Sequence, residues 1–184
     1  MSEKKKIPHI LHLVIFLTIL GVICAGILAL VNNITAPIIE GNLQEELESS
    51  LNTIGVKEAK EVTDQYENNL VDGVEKIFEG KLEGTMCYVF QVSNKNSFTT
   101  ITTLVVLAKD SGIILKVNPL SGTPSFSTHG KDDAILSHDF GVNGRNENDF
   151  ETYFNAVSGA TVSSGSIKAS ISIAYAQYNK IILE

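Results

Sequence analysis

Ser158 and Thr161 are two hydroxyls three positions apart, and the residues between them, Gly159 and Ala160, have almost no side chain. They close the stretch Asn155-Ala156-Val157-Ser158-Gly159-Ala160-Thr161. Behind it, from Ser163 to Leu183, Ile167, Ile171, Ala174, Tyr178 and Ile181 recur at the three- and four-residue spacing of a helix. A helix start presents unpaired N–H groups and the positive end of the macrodipole, so it accepts a phosphate. Small residues let a bulky phosphorylated ligand reach the backbone. Thr161 would hydrogen-bond that phosphate or be esterified to it. The plainer alternative is that Ser158 or Thr161 caps the helix, as Ser and Thr commonly do. Spacing alone leaves both readings open.

Other reactive side chains make weaker patterns. His129, Asp132, Asp133, His138 and Asp139 cluster upstream without the ligand spacing of a catalytic zinc site, so they read as solvated loop residues and no metal is expected. Ser164-Gly165 lacks the flanking glycine of a nucleophile elbow, and the glycines form neither a dinucleotide fingerprint nor a P-loop. No catalytic residue is expected. Cys24 and Cys87 stand in an apolar run and a strand-like run, with no disulfide framework or Cys-x-x-Cys, and read as buried thiols.

The elements that must position Thr161 begin with a membrane anchor. Residues 7–39 contain no charged side chain, and Ile10 to Val31 is almost wholly apolar. That exceeds the roughly 7–15 apolar residues of a signal peptide and suffices for a span of about 20. Lys4, Lys5 and Lys6 precede it, which places the N-terminus in the cytoplasm and the body of the chain outside the plasma membrane. His9 and His12, one helical turn apart at the cytoplasmic end, read as headgroup-level residues rather than haem ligands. Setting aside Glu3 and the three lysines leaves 11 basic against 20 acidic residues, about −9, which disfavours nucleic acid as a partner.

Asn32 to Pro37 reads as a breaker-rich exit, with Pro37 starting or redirecting the next helix. Ile39, Leu43, Leu47, Leu51 and Ile54 then mark an amphipathic helix with Glu45, Glu46 and Glu48 on its solvated face. Val56 to Val62 and Val74 to Phe78 are short elements of uncertain type. Met86 to Val92, Thr99 to Leu107 and Gly112 to Val117 are β-branched or aromatic runs separated by turns, an antiparallel meander. Helices on either side make the class α+β. Asn118 to Arg145 is a loop-rich connection of the length that often carries function.

Ser158-Gly159-Ala160-Thr161 resembles the modification motif of the FMN-binding domain family, Asp-x-x-(Ser/Thr)-Gly-Ala-Thr, and Val162-Ser163-Ser164 suits its continuation. Asn155 stands where that motif has Asp. Val31-Asn32-Asn33-Ile34-Thr35-Ala36-Pro37, following a span, is similar to the exit in the RnfG component of the Rnf electron-transport complex. In the Rnf and related Nqr flavin subunits a Glu-Thr-Pro-Gly loop helps to enclose the flavin. Thr123 and Pro124 match it within Gly122-Thr123-Pro124-Ser125.

The resemblance implies FMN joined by a phosphoester to Thr161, with Ser158, Gly159 and Ala160 forming the turn beside it and Thr123 contributing to the pocket. It implies an electron carrier in an Rnf-type ion-translocating ferredoxin:NAD oxidoreductase rather than a self-sufficient enzyme. The implied partners are the other membrane subunits and a flavin transferase for maturation. The expected organisation is a cytoplasmic tail (1–6), a transmembrane helix (7–31), an exit and amphipathic helical region (32–84) and an FMN-binding domain (85–184). Two alternatives stay open: a stand-alone extracytoplasmic flavin carrier, and a non-redox ectodomain that has lost the flavin.

Overall fold

The structure, a computed structural model, describes residues 9–97, 100–120 and 135–183, with the backbone alone at 9, 10, 12 and 34–46. Helix α1 runs from His9 to Ile54. Its stretch Leu13–Asn33 has a mean hydropathy of 3.0 and none of it is buried. At 1.5 Å per residue these 21 residues reach roughly 30 Å, the thickness of a bilayer's hydrocarbon core. Phe16, Val22, Leu28 and Leu30 project from it exposed. Lipid is the solvent that such a surface requires, and a helix satisfies its own backbone there. The chain thus has the form of a single-pass membrane protein.

One expectation fails in α1. The helix does not break at Asn32–Pro37 but continues through Pro37. Proline withholds one N–H, the donor to the Asn33 carbonyl, and costs the helix that single bond. The helix stops at Gly55, whose φ of +86° is the left-handed conformation glycine adopts most easily.

The chain divides into two compact units, Met1–Glu45 and Glu46–Glu184. The second is built on one five-stranded antiparallel sheet in sequential order: β1 (Val56–Glu61), β2 (Val74–Leu82), β3 (Thr85–Lys95), β4 (Thr100–Ala108) and β5 (Ile114–Pro119). A 3-10 turn, Thr63–Asn69, joins β1 to β2. The three-strand meander is present as β3 to β5. The stretch 32–84, expected to be exit and helix, also supplies two strands. β1 gives no alternating pattern because five of its six residues are exposed. In β2 a register shift between Val74 and Lys76 interrupts the period of two. Leu82 and Thr85 pair across a two-residue turn in which Glu83 and Gly84 both have positive φ, the geometry that matches strand twist.

Each face of the sheet is covered by a helix. On one, Leu47, Leu51 and Ile54 at the end of α1 pack with Phe78, Cys87, Val89, Leu104 and Val106. On the other lies α3 (Thr161–Ile182), after a single-turn α2 (Phe150–Tyr153). Its Ile167, Ile171, Ala174, Tyr175 and Tyr178 meet Ile77, Tyr88, Phe90, Val105 and Leu107. Successive strand residues feed opposite cores, as in Cys87, Tyr88, Val89 and Phe90. The α+β expectation holds.

Candidate functional site

The α3 register is set at its far end and inherited by its start. Tyr175 donates its hydroxyl proton to the Gly112 carbonyl at 2.9 Å and Tyr178 to the Lys109 carbonyl at 3.0 Å. Gly112 admits Tyr178 because a Cβ there would lie 2.9 Å from the ring. Toward the start of the helix, Asn94 donates to the Ser166 carbonyl at 3.3 Å and Asn96 to the Ser166 hydroxyl at 3.0 Å. The β3–β4 connection thereby grips the second turn of α3.

Thr161 is the first residue of that helix, and its side chain is exposed. The N-cap position is Ala160, with φ −125° and ψ 41°, and no side chain caps it. The cap position is thus taken by neither Ser158 nor Thr161. The first-turn N–H groups, which a helix cannot satisfy from within, receive no side-chain bond from the N-cap residue, and the first turn carries no acidic residue. Just before them the Ala160 N–H closes a turn onto the Val157 carbonyl at 3.0 Å, with Gly159 at φ +78°. A Cβ at Gly159 would be strained by that angle. Ser158, Gly159, Ala160 and Thr161 are therefore brought together as one turn and helix start. Thr123 lies outside the described residues.

The residues leading into this turn are tied to a cavity of about 280 Å³ between β5 and the segment Leu136–Asn143. Lys116, Val117 and Asn118 form one wall, and His138, Phe140 and Val142 are on the other. Asn155 donates its N–H to the Phe140 carbonyl at 2.8 Å, and its own carbonyl accepts from His138 Nε2–H at 2.9 Å. Phe140 stacks on Phe154 with centroids 5.5 Å apart. Gly141 sits so close that a Cβ would come within 2.9 Å of the Tyr153 carbonyl oxygen. The Asn155 side chain is exposed.

Of the clustered loop residues, His129, Asp132 and Asp133 lie outside the described residues. His138 holds Asn155, and Asp139 accepts the Gly141 N–H at 2.9 Å. Both have local structural work. Among the described residues no three His, Cys, Asp or Glu side chains come together. Both cysteines are free thiols; Cys87 is buried as expected, whereas Cys24 is exposed, on a stretch of α1 that no other element covers. Burial pushes the Cys87 thiol up to about 11, which keeps it protonated and unreactive.

Ser164 escaped sequence reasoning. It is buried, and its hydroxyl accepts the Val157 N–H at 3.0 Å. The available signal was a serine on the helix face that otherwise carries Ile167, Ile171 and Ala174. The cavity lined by Lys116, His138 and Phe140 was also missed, since its two walls are separated in the chain by residues 121–134.

No curated protein matches the chain. Residues 1–54, which end with the last residue of α1, match the family described as the RnfG N-terminal region, and over this stretch the chain is RnfG-like.

Proposed function

We propose that the protein is a membrane-anchored flavoprotein electron carrier, the RnfG counterpart in an Rnf-type ion-translocating ferredoxin:NAD oxidoreductase, with FMN held as a phosphoester on Thr161. The carrying observation is exposed Thr161 at the first position of a 22-residue helix whose N-cap residue, Ala160, makes no side-chain cap. A phosphate would suit that position: a helix start offers unpaired N–H groups, the helix dipole favours its charge, and Gly159 and Ala160 have little side chain. The RnfG-like N-terminal segment and the apolar stretch of α1 support membrane attachment beside other Rnf subunits. The lysines before the span favour an N-terminus inside and a sheet unit outside.

FMN supplies the redox chemistry when bound, and the protein supplies its position and surroundings. Thr161 would contribute the ester oxygen, and the N–H groups of the first turn of α3 would hold the remaining phosphate oxygens. The bond prevents loss of the cofactor outside the cell. Asn155, in place of an aspartate, removes a negative charge from the approach and leaves any metal assistance to the transferase.

The test is co-production of the full chain with a flavin transferase, followed by denaturation. In-gel flavin fluorescence and a mass increase of one FMN less one water are expected, both absent in Thr161→Ala. Wild-type protein without fluorescence or added mass would sink the covalent reading.

A further inference from the structure

We propose that Ser164 is a positioning residue for the modification of Thr161: its buried hydroxyl holds the turn that presents the acceptor. This rests on the reading of Thr161 as the flavin attachment site.

Ser164 touches both ends of the turn. Its hydroxyl accepts the Val157 N–H at 3.0 Å, and its own N–H donates to the Ala160 carbonyl at 2.9 Å. The intervening Ala160 N–H closes onto the Val157 carbonyl at 3.0 Å. Thr161 sits inside this closed loop, exposed, so its placement follows from the residues around it. Side-chain capping ordinarily fixes a helix start from outside. Here Ala160 occupies the cap position without such a bond, and the fixing group comes from one turn inside the helix. Ser164 is 1% exposed and Val157 8%, so water does not readily replace the missing acceptor when the hydroxyl is removed.

The step that this geometry serves balances as a group transfer. FMN itself would have to expel water to form an ester, so an activated donor is required, a flavin dinucleotide. The Thr161 oxygen bonds to the FMN phosphorus, the pyrophosphate bond breaks, and the adenylate half leaves. The hydroxyl proton passes to a base on the transferase, and no electrons are exchanged. In-line attack needs the acceptor oxygen held in a narrow range of positions, which a loosened turn does not provide.

The experiment measures the rate of flavin transfer from FAD to the full-length chain in detergent, at a fixed transferase concentration and well below the melting temperature. Peptide mapping locates the flavin. Ser164→Ala is compared with Ser170→Ala, which removes another fully buried hydroxyl from α3, one bonded only to the Ser166 carbonyl at 3.0 Å. A roughly ten-fold slowing in Ser164→Ala is expected, with a larger share of product at Ser158, and less than about two-fold slowing in Ser170→Ala. Equal slowing in both variants, or wild-type speed in Ser164→Ala, overturns the positioning role and leaves Thr161 as the attachment site. Wild-type chain that takes no flavin at Thr161 overturns the attachment reading and this role with it.

Discussion

The same sheet is covered by two helices of opposite character. The end of α1 presents a purely aliphatic seam, Leu47, Leu51 and Ile54. α3 alternates Ile167, Ile171 and Ala174 with buried Ser164, Ser166, Ser170 and Gln177. An aliphatic seam needs only area, at about 25 cal/mol per Å², and tolerates small shifts along the axis. Buried polar groups carry a penalty unless paired, so they hold a helix at one register. Ser164 reaches the turn before Thr161, Ser166 the Asn96 side chain, and Gln177 the Val71 N–H at 2.7 Å. The helix bearing the candidate site is the one anchored by directional bonds.

That contrast can be broken by mutation of the full chain, followed by urea unfolding in detergent. The largest effects fall equally on both seams: Leu51→Ala and Ile171→Ala should each cost about 2–5 kcal/mol. A much smaller cost for Leu51→Ala would mean that α1 only rests on the sheet. Next is Gln177→Ala, which strands the Val71 N–H and should cost about 2 kcal/mol; a neutral result would remove the polar anchoring from the far half of α3. Ser170→Ala should cost less than about 1 kcal/mol, because its hydroxyl merely adds to a carbonyl on its own helix.

The smallest effect is electrostatic. Lys109 lies 2.7 Å from Glu79, and the hydrogen bond from Lys109 holds the Glu79 carboxyl below its ordinary value of 4.5. A lowered folded-state value means stability that is present above pH 4.5 and lost as pH falls through the lowered one. Both side chains are about a third exposed, so screening limits this to about 0.5 kcal/mol. Acid titration of wild type against Glu79→Gln should show that difference vanish below the lowered value.

Much of this was legible because the patterns were strong and local. The uncharged run 7–39 dictated the apolar helix, β-branched runs marked β3 to β5, and the hydroxyl–small–small–hydroxyl spacing located the turn before α3. What was not legible depended on distant partners. β1 is an exposed edge strand that exists by pairing with β2, and Gly80 permits that pairing because a Cβ there would stand 2.7 Å from Val56 Cγ1. Pro37 carries a breaking signal, yet α1 runs through it. Ser164 was readable only as a small residue on a helix face until its bond to Val157 set its role.

The bare cap at Ala160 would bear on maturation under the proposed attachment of flavin to Thr161. A helix start without a side-chain acceptor forgoes about 1 kcal/mol. A phosphoester at Thr161, as proposed, would bring acceptor oxygens to that helix start. Flavin attachment would then act as a last folding step, raising the melting temperature by a few degrees.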